Sequence, residues 1–174
     1  MELRRLAVLA LLCLVSRTAA AVEGESAIGL TLRFATLSAG AADGDDDVSG
    51  VGGGLGVDYQ RGFGDTWWFR ASVGGAAYSI ESAASYSAVG SLGVTYAVDV
   101  VKYVPYVGIA GGAVVVGGGE VDGRIEPYLE LGVGIEVLQS TTFSWGIDVR
   151  SSSFVGDSTV LLVGPRIAWK WGYF

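Results

Sequence analysis

Runs of about ten residues in which large apolar side chains alternate with small or charged ones recur along this chain, separated by turn residues. Alternation with a period of two is the mark of a β-strand whose faces meet different surroundings, because successive side chains point to opposite sides of the pleat. Ile28, Leu30, Leu32 and Phe34 alternate with Gly29, Thr31, Arg33 and Ala35. Leu129, Leu131, Val133, Ile135 and Val137 alternate with Tyr128, Glu130, Gly132, Gly134 and Glu136. Phe143, Trp145, Ile147 and Val149 alternate with Ser144, Gly146, Asp148 and Arg150. No stretch beyond the N-terminal segment has helical periodicity, so the fold is expected to be all-β.

The pattern predicts eight strands, near 27–37, 49–60, 67–78, 86–97, 105–116, 126–137, 143–152 and 159–173. An even number returns both ends of an up-and-down sheet to one side. Segments 61–66, 98–104 and 138–142 are then short turns on that side, and 38–48, 79–85, 117–125 and 153–158 are longer loops on the other. The face that carries charge also carries glycine, which suits a narrow interior where side chains from every strand converge. The apolar face is continuous enough to meet hydrocarbon. The reading is a closed antiparallel up-and-down transmembrane β-barrel of about eight strands; a soluble barrel holding an apolar ligand would need the reverse pattern.

The N-terminal segment reads as an export signal. Arg4 and Arg5 are followed by the apolar run Leu6–Val15 and by Thr18-Ala19-Ala20-Ala21, a small-residue cleavage zone. The apolar run, about 10 residues, is too short for a membrane helix, which needs roughly 20. Residues 1–21 are assigned to the signal peptide and 22–174 to the barrel. Cleavage removes Arg4, Arg5, Arg17 and Glu2, moving the formal charge from -7 by three cations and one anion to -9. It also removes Cys13, the single cysteine, so no disulfide is expected in the mature chain. The acidic balance excludes a nucleic-acid partner, since no basic patch is left to neutralise phosphates.

Aromatic residues gather at one set of strand ends: Tyr59, Trp67, Phe69, Tyr96, Tyr103, Phe143, Trp145, Trp169, Trp171 and Tyr173. Rings of this kind favour the boundary between headgroups and hydrocarbon, where the body is buried and the polar edge stays wet. They are expected to form one membrane girdle, with Tyr78, Tyr86 and Phe154 marking a sparser one at the opposite ends.

The segments PYVGIAGG at 105–112 and PYLELGVG at 127–134 resemble the strand signature of OmpA-like and OmpX-like outer-membrane β-barrel domains. The closing Ile167-Ala168-Trp169-Lys170-Trp171-Gly172-Tyr173-Phe174 resembles the C-terminal signal through which such barrels are inserted, with Phe174 one step out of phase with Ile167, Trp169, Trp171 and Tyr173. The resemblance covers essentially the whole mature chain. It implies residence in a bacterial outer membrane, contact with membrane lipid and lipopolysaccharide, insertion by the barrel-assembly machinery through the last strand, and a monomer.

The chain contains no histidine. Small barrels that act as lipid-modifying enzymes or proteases generally use one as a proton shuttle, so no catalytic residue is assigned and no enzyme is expected. Ser151, Ser152 and Ser153 near Asp148 have no base to activate them. No cofactor and no metal site is expected either. Asp43, Asp45, Asp47 and Ser49 copy the alternate spacing of a calcium loop, but its turn glycine and terminal glutamate are missing. With Asp46, these carboxylates are expected at most to share divalent cations with lipopolysaccharide.

The strongest positive feature is a set of inward charges, Arg33, Arg70, Arg150, Arg166 and Lys170 against Asp58, Glu130, Glu136 and Asp148. Inside so small a barrel they must pair or meet trapped water. A permanently closed polar core and a gate of exchanging ion pairs both follow from that. The expected role is accordingly structural or envelope-interacting with a filled lumen. The alternative is a small porin-like or OmpW-like transporter of small or hydrophobic solutes.

Overall fold

A computed structural model describes residues 24–39, 48–80, 83–98, 100, 102–118, 121–154 and 158–172. The leader at 1–21, the acidic run Asp43–Asp47, Tyr173 and Phe174 lie outside the described residues. Eight strands make up the fold: β1 (Ser26–Ala39), β2 (Val48–Gly62), β3 (Trp67–Ile80), β4 (Ala83–Ala97), β5 (Tyr103–Gly118), β6 (Val121–Leu138), β7 (Phe143–Phe154) and β8 (Ser158–Trp171). Each pairs antiparallel with its sequence neighbours, and β8 pairs with β1 to close the barrel. Closure leaves no free sheet edge, so every strand has a ladder on both sides.

The stagger of that closure can be followed residue by residue. Ala27 faces Gln60, and partners then run through Arg70, Gly93, Ala110, Glu130, Ser152 and Val160 back to β1 at Leu37. The path re-enters β1 ten residues beyond Ala27, a shear that tilts the strands by about 35–45° and leaves an interior just wide enough for side chains. The seam itself is interrupted. Pairs run from Ser26↔Trp171 to Thr31↔Arg166 and resume at Phe34↔Val163, lapsing beside Pro165, which has no N–H to give to a ladder.

Tight turns close the end near residue 24, here the inner end. The Phe63 N–H donates to the Trp67 carbonyl at 2.9 Å across a turn in which Gly64 takes φ +83°, a left-handed value that a side chain would oppose. Gln139 and Ser140 N–H groups both donate to the Phe143 carbonyl, at 3.0 and 3.1 Å.

All eight predicted strands are present in the predicted order, but the loop lengths are not as expected. Strands β3 to β8 run on into segments read as outer loops, leaving only 81–82, 119–120 and 155–157 between them, shorter than 63–66, 98–102 and 139–142 at the inner end. The first outer connection is also shortened, from the expected 38–48 to 40–47, but it remains the longest between strands. Once the ladder is in place, small residues such as Ser79, Ala84, Gly117 and Gly118 extend it at little steric cost, although by composition they read as loop.

Candidate functional site

The alternation sorts side chains as its period demands. Arg150 and Arg166 are buried at 0% and 1% exposure, while Leu129 and Ile125, on the outward side of β6, stand at 64% and 72%. Leu32, Phe34, Leu55, Val73, Leu92, Ile109, Ile147 and Leu161 likewise face out on the other strands. A globular protein in water hides such rows; this one wraps them around its outside.

Within the barrel, eight of the nine predicted lumen charges form a single chain of ion pairs that alternates in sign. Lys170 Nζ lies 3.6 Å from Glu136, whose other oxygen meets Arg166. Arg166 reaches on to Asp58 at 2.7 Å, and Asp58 also receives Arg70 at 2.8 Å. Arg70 stands 3.8 Å from Asp148, which accepts from Arg150 Nε at 2.5 Å, and Arg150 Nη1 ends the series on Glu130 at 2.8 Å. Buried charges are tolerated only when their remaining hydrogen-bonding capacity is also met. Ser144 Oγ donates to Glu136 at 2.7 Å and the Tyr106 hydroxyl to Asp148 at 2.7 Å, completing those carboxylates.

Glycine makes room for this network. A Cβ on Gly29 would fall on the Arg166 guanidinium and the Asp58 carboxylate, and one on Gly134 would fall on the Tyr106 ring. The glycines of the charged face therefore act as sockets for side chains arriving from other strands. Tyr106 and Ser144 were not singled out from sequence, although both share the inward phase of the charged positions.

The lumen is not polar throughout, which corrects the sequence reading. Toward the outer end Ala35, Tyr78, Val160 and Leu162 form a buried apolar cluster with Leu37, Ala76 and Phe154 against it. Toward the inner end Ala27 packs on Trp68 and Ala97, and Lys170 Nζ sits 5.8 Å from the centre of the Trp68 ring. The ion-pair chain is thus capped by apolar layers above and below. Tyr78 and Phe154, expected in an outer girdle, belong to the upper layer, while Tyr86 does face outward.

The ninth charge, Arg33, is buried at 7% exposure but stands outside the chain: among the described residues no carboxylate lies within ion-pairing distance, and its Nε makes no hydrogen bond. Of the predicted girdle, Tyr59, Trp67, Phe69, Tyr96, Tyr103, Phe143, Trp145, Trp169 and Trp171 occupy outward positions at the inner strand ends. Several touch across strands, Trp67 with Tyr96 at 5.1 Å between ring centres, Phe143 with Trp169 at 5.8 Å and Tyr59 with Trp171 at 6.4 Å. Among the described residues no group of three or more potential metal ligands comes together.

Fold and interior together define a closed eight-stranded up-and-down barrel with an apolar exterior and an ion-paired lumen; its fold is that of solved bacterial outer-membrane barrels. Neisserial surface protein A superposes with a TM-score of 0.67 at 12% identity, over 86% of this chain and 100% of that one. The outer membrane protein OprG from Pseudomonas aeruginosa gives 0.60 at 12% identity, over 86% of this chain and 97% of that one. Ail, the attachment invasion locus protein of Yersinia pestis, gives 0.57 at 15% identity, over 86% and 100%. At such identities the likeness is one of fold. No protein-family profile matches the sequence, and no curated protein matches it.

Proposed function

We propose that this chain is a non-enzymatic bacterial outer-membrane β-barrel of the OmpA-like or OmpX-like kind, with a structural or envelope-interacting role and a closed lumen. The observation that carries the reading is the inversion of the barrel: large apolar rows outward on every strand and, among the described residues, most of the strand-borne charge inside. Hydrocarbon is the environment in which that arrangement is stable, and a barrel is one of the two backbone forms that can cross it.

Outward aromatics at the inner strand ends then sit at the headgroup level of one leaflet, and lipid and lipopolysaccharide are the natural neighbours of the apolar wall. Insertion by the barrel-assembly machinery through Phe174, and a monomeric state, belong to the same proposal. Structural likeness to outer-membrane barrels supports the location. The non-enzymatic role is supported by the absence of histidine from the sequence and by the commitment of Asp58, Glu130, Glu136 and Asp148 to arginines.

Membrane fractionation of the producing bacterium tests the location, with the protein expected in the outer-membrane fraction and migrating faster on gels before boiling than after. Recovery from the soluble fraction with heat-independent mobility would defeat the proposal. Incubation with radiolabelled phospholipid or lipid A is expected to yield no product.

A further inference from the structure

Arg33 does not share the solution found by the other lumen arginines. Four cations and four carboxylates alternate through the ion-pair chain, and Arg33 is a fifth cation left over at its upper end. Glu25 is also buried, but it precedes Arg33 by eight positions, roughly 25 Å along an extended strand. A guanidinium does not shed its proton to escape burial, as a lysine can. Arg33 therefore stays charged where it stands.

Its surroundings form a built recess. The guanidinium lies over Gly56 and beside Gly74, where any Cβ would collide with it or crowd it. Above it a cavity of about 20 Å³ is lined by Arg33, Tyr128, Ser152, Tyr78 and Leu162, with Glu130 also on its wall. The Tyr128 hydroxyl, on a residue 4% exposed, makes no well-formed hydrogen bond, with the Ser91 side chain nearby. A residue with a buried cation and one with a buried hydroxyl thus line the same small space, beside the apolar upper cluster.

We infer that this cavity is a binding site for a single small monovalent anion of the halide class, held between the Arg33 guanidinium and the Tyr128 hydroxyl. Volume sets the class: space of this size takes a water or a monatomic ion, and an oxyanion such as sulfate needs several times more. Charge sets the valence. Glu130 is neutralised by Arg150 at 2.8 Å yet remains a carboxylate on the wall, so it opposes a second negative charge more than a first. The site depends on the lumen alone and stands whether or not the barrel resides in an outer membrane.

Chloride-35 NMR on the refolded protein in detergent micelles tests it. Folded wild type is expected to broaden the chloride line beyond the urea-unfolded chain, with bromide competing and sulfate not competing at equal ionic strength. Arg33→Met should abolish the excess, Tyr128→Phe should weaken it several-fold, and Glu130→Gln should strengthen it. Tyr128→Phe and Glu130→Gln leave Arg33 in place, so they keep the test open if Arg33→Met does not refold. Equal broadening by folded and unfolded wild type, or competition by sulfate as strong as by bromide, overturns the proposal. So does a bromide-soaked crystal with no anomalous peak between Arg33 and Tyr128, or with the Glu130 carboxylate swung onto Arg33.

Discussion

The Arg166 guanidinium holds the Asp58 carboxylate through two N–H groups, Nη2 to Oδ2 at 2.7 Å and Nε to Oδ1 at 3.3 Å, across a separation of 108 positions in the chain. β1 lies between their strands, and its Gly29 leaves the gap through which they meet. Asp58 also serves Arg70, so its neutralisation weakens the pairing of two buried arginines at once, leaving Arg166 with Glu136 and Arg70 with the more distant Asp148. Asp58→Asn is expected to cost about 3–5 kcal/mol, the scale for breaking a buried pair by removing one partner. Adding Arg166→Met to Asp58→Asn should recover part of that loss. Urea unfolding of the refolded barrel measures both, and strict additivity would mean that the two side chains do not interact.

A methyl group at Gly29 should act like a partial loss of the same contact, because its Cβ would occupy the space of the guanidinium and the carboxylate. Gly29→Ala is expected to destabilise by about 1–3 kcal/mol, the usual scale for overpacking. Gly53 faces outward on β2, where an added Cβ meets only the Arg33 carbonyl at 3.7 Å. Gly53→Ala should stay within about 0.5 kcal/mol of wild type. Equal effects at the two glycines would show that the interior socket is not what sets the cost.

Much of this was legible in the sequence, and the limits have identifiable causes. Where a charged, polar or small residue marks every second position, as from Ile28 to Ala35 or Leu129 to Val137, the facing of each side chain follows the alternation. Runs such as Val114-Val115-Val116 and Leu161-Leu162-Val163 carry no polar residue to fix the phase, and it is there that Val114 and Leu162 turn inward, Leu162 into the apolar upper layer. Tyr78 and Phe154 were assigned outward by their position at strand ends, but the register turns them into the lumen. The alternating ion-pair chain was beyond sequence reasoning for another reason: its partners come from strands remote in the chain, and only the closed register decides which carboxylate each arginine reaches.

Capping of the charged layer by Tyr78, Val160 and Leu162 on one side and Trp68 on the other makes a conducting lumen unfavourable, since an ion would cross two apolar layers and displace matched charges between them. Wild type in planar bilayers is expected to show no steady channel, and Leu162→Ala alone should not create one because the ion-pair chain still fills the middle. Stable channels whose conductance changes with an Arg70 or Glu130 substitution would favour the transport alternative instead.

Depth dependence offers the sharpest check on the environment of the outer wall. Leu131 lies midway along β6 and faces out at 61% exposure, while Tyr103 faces out at 53% but opens β5 at the aromatic end. Both are comparably exposed, so bulk water would treat an arginine at either place alike, and would accept it readily. Hydrocarbon does not: a cation at the bilayer midplane of a barrel costs about 2–4 kcal/mol, falling to about 0–1 near the interface. Leu131→Arg should therefore lower the folding free energy in phospholipid vesicles by the larger amount and Tyr103→Arg by the smaller. Because the two substitutions add the same charge to the same barrel, a common effect on solubility or on the unfolded chain cancels in their difference. A difference near zero in vesicles would mean that water, not lipid, surrounds the leucine rows.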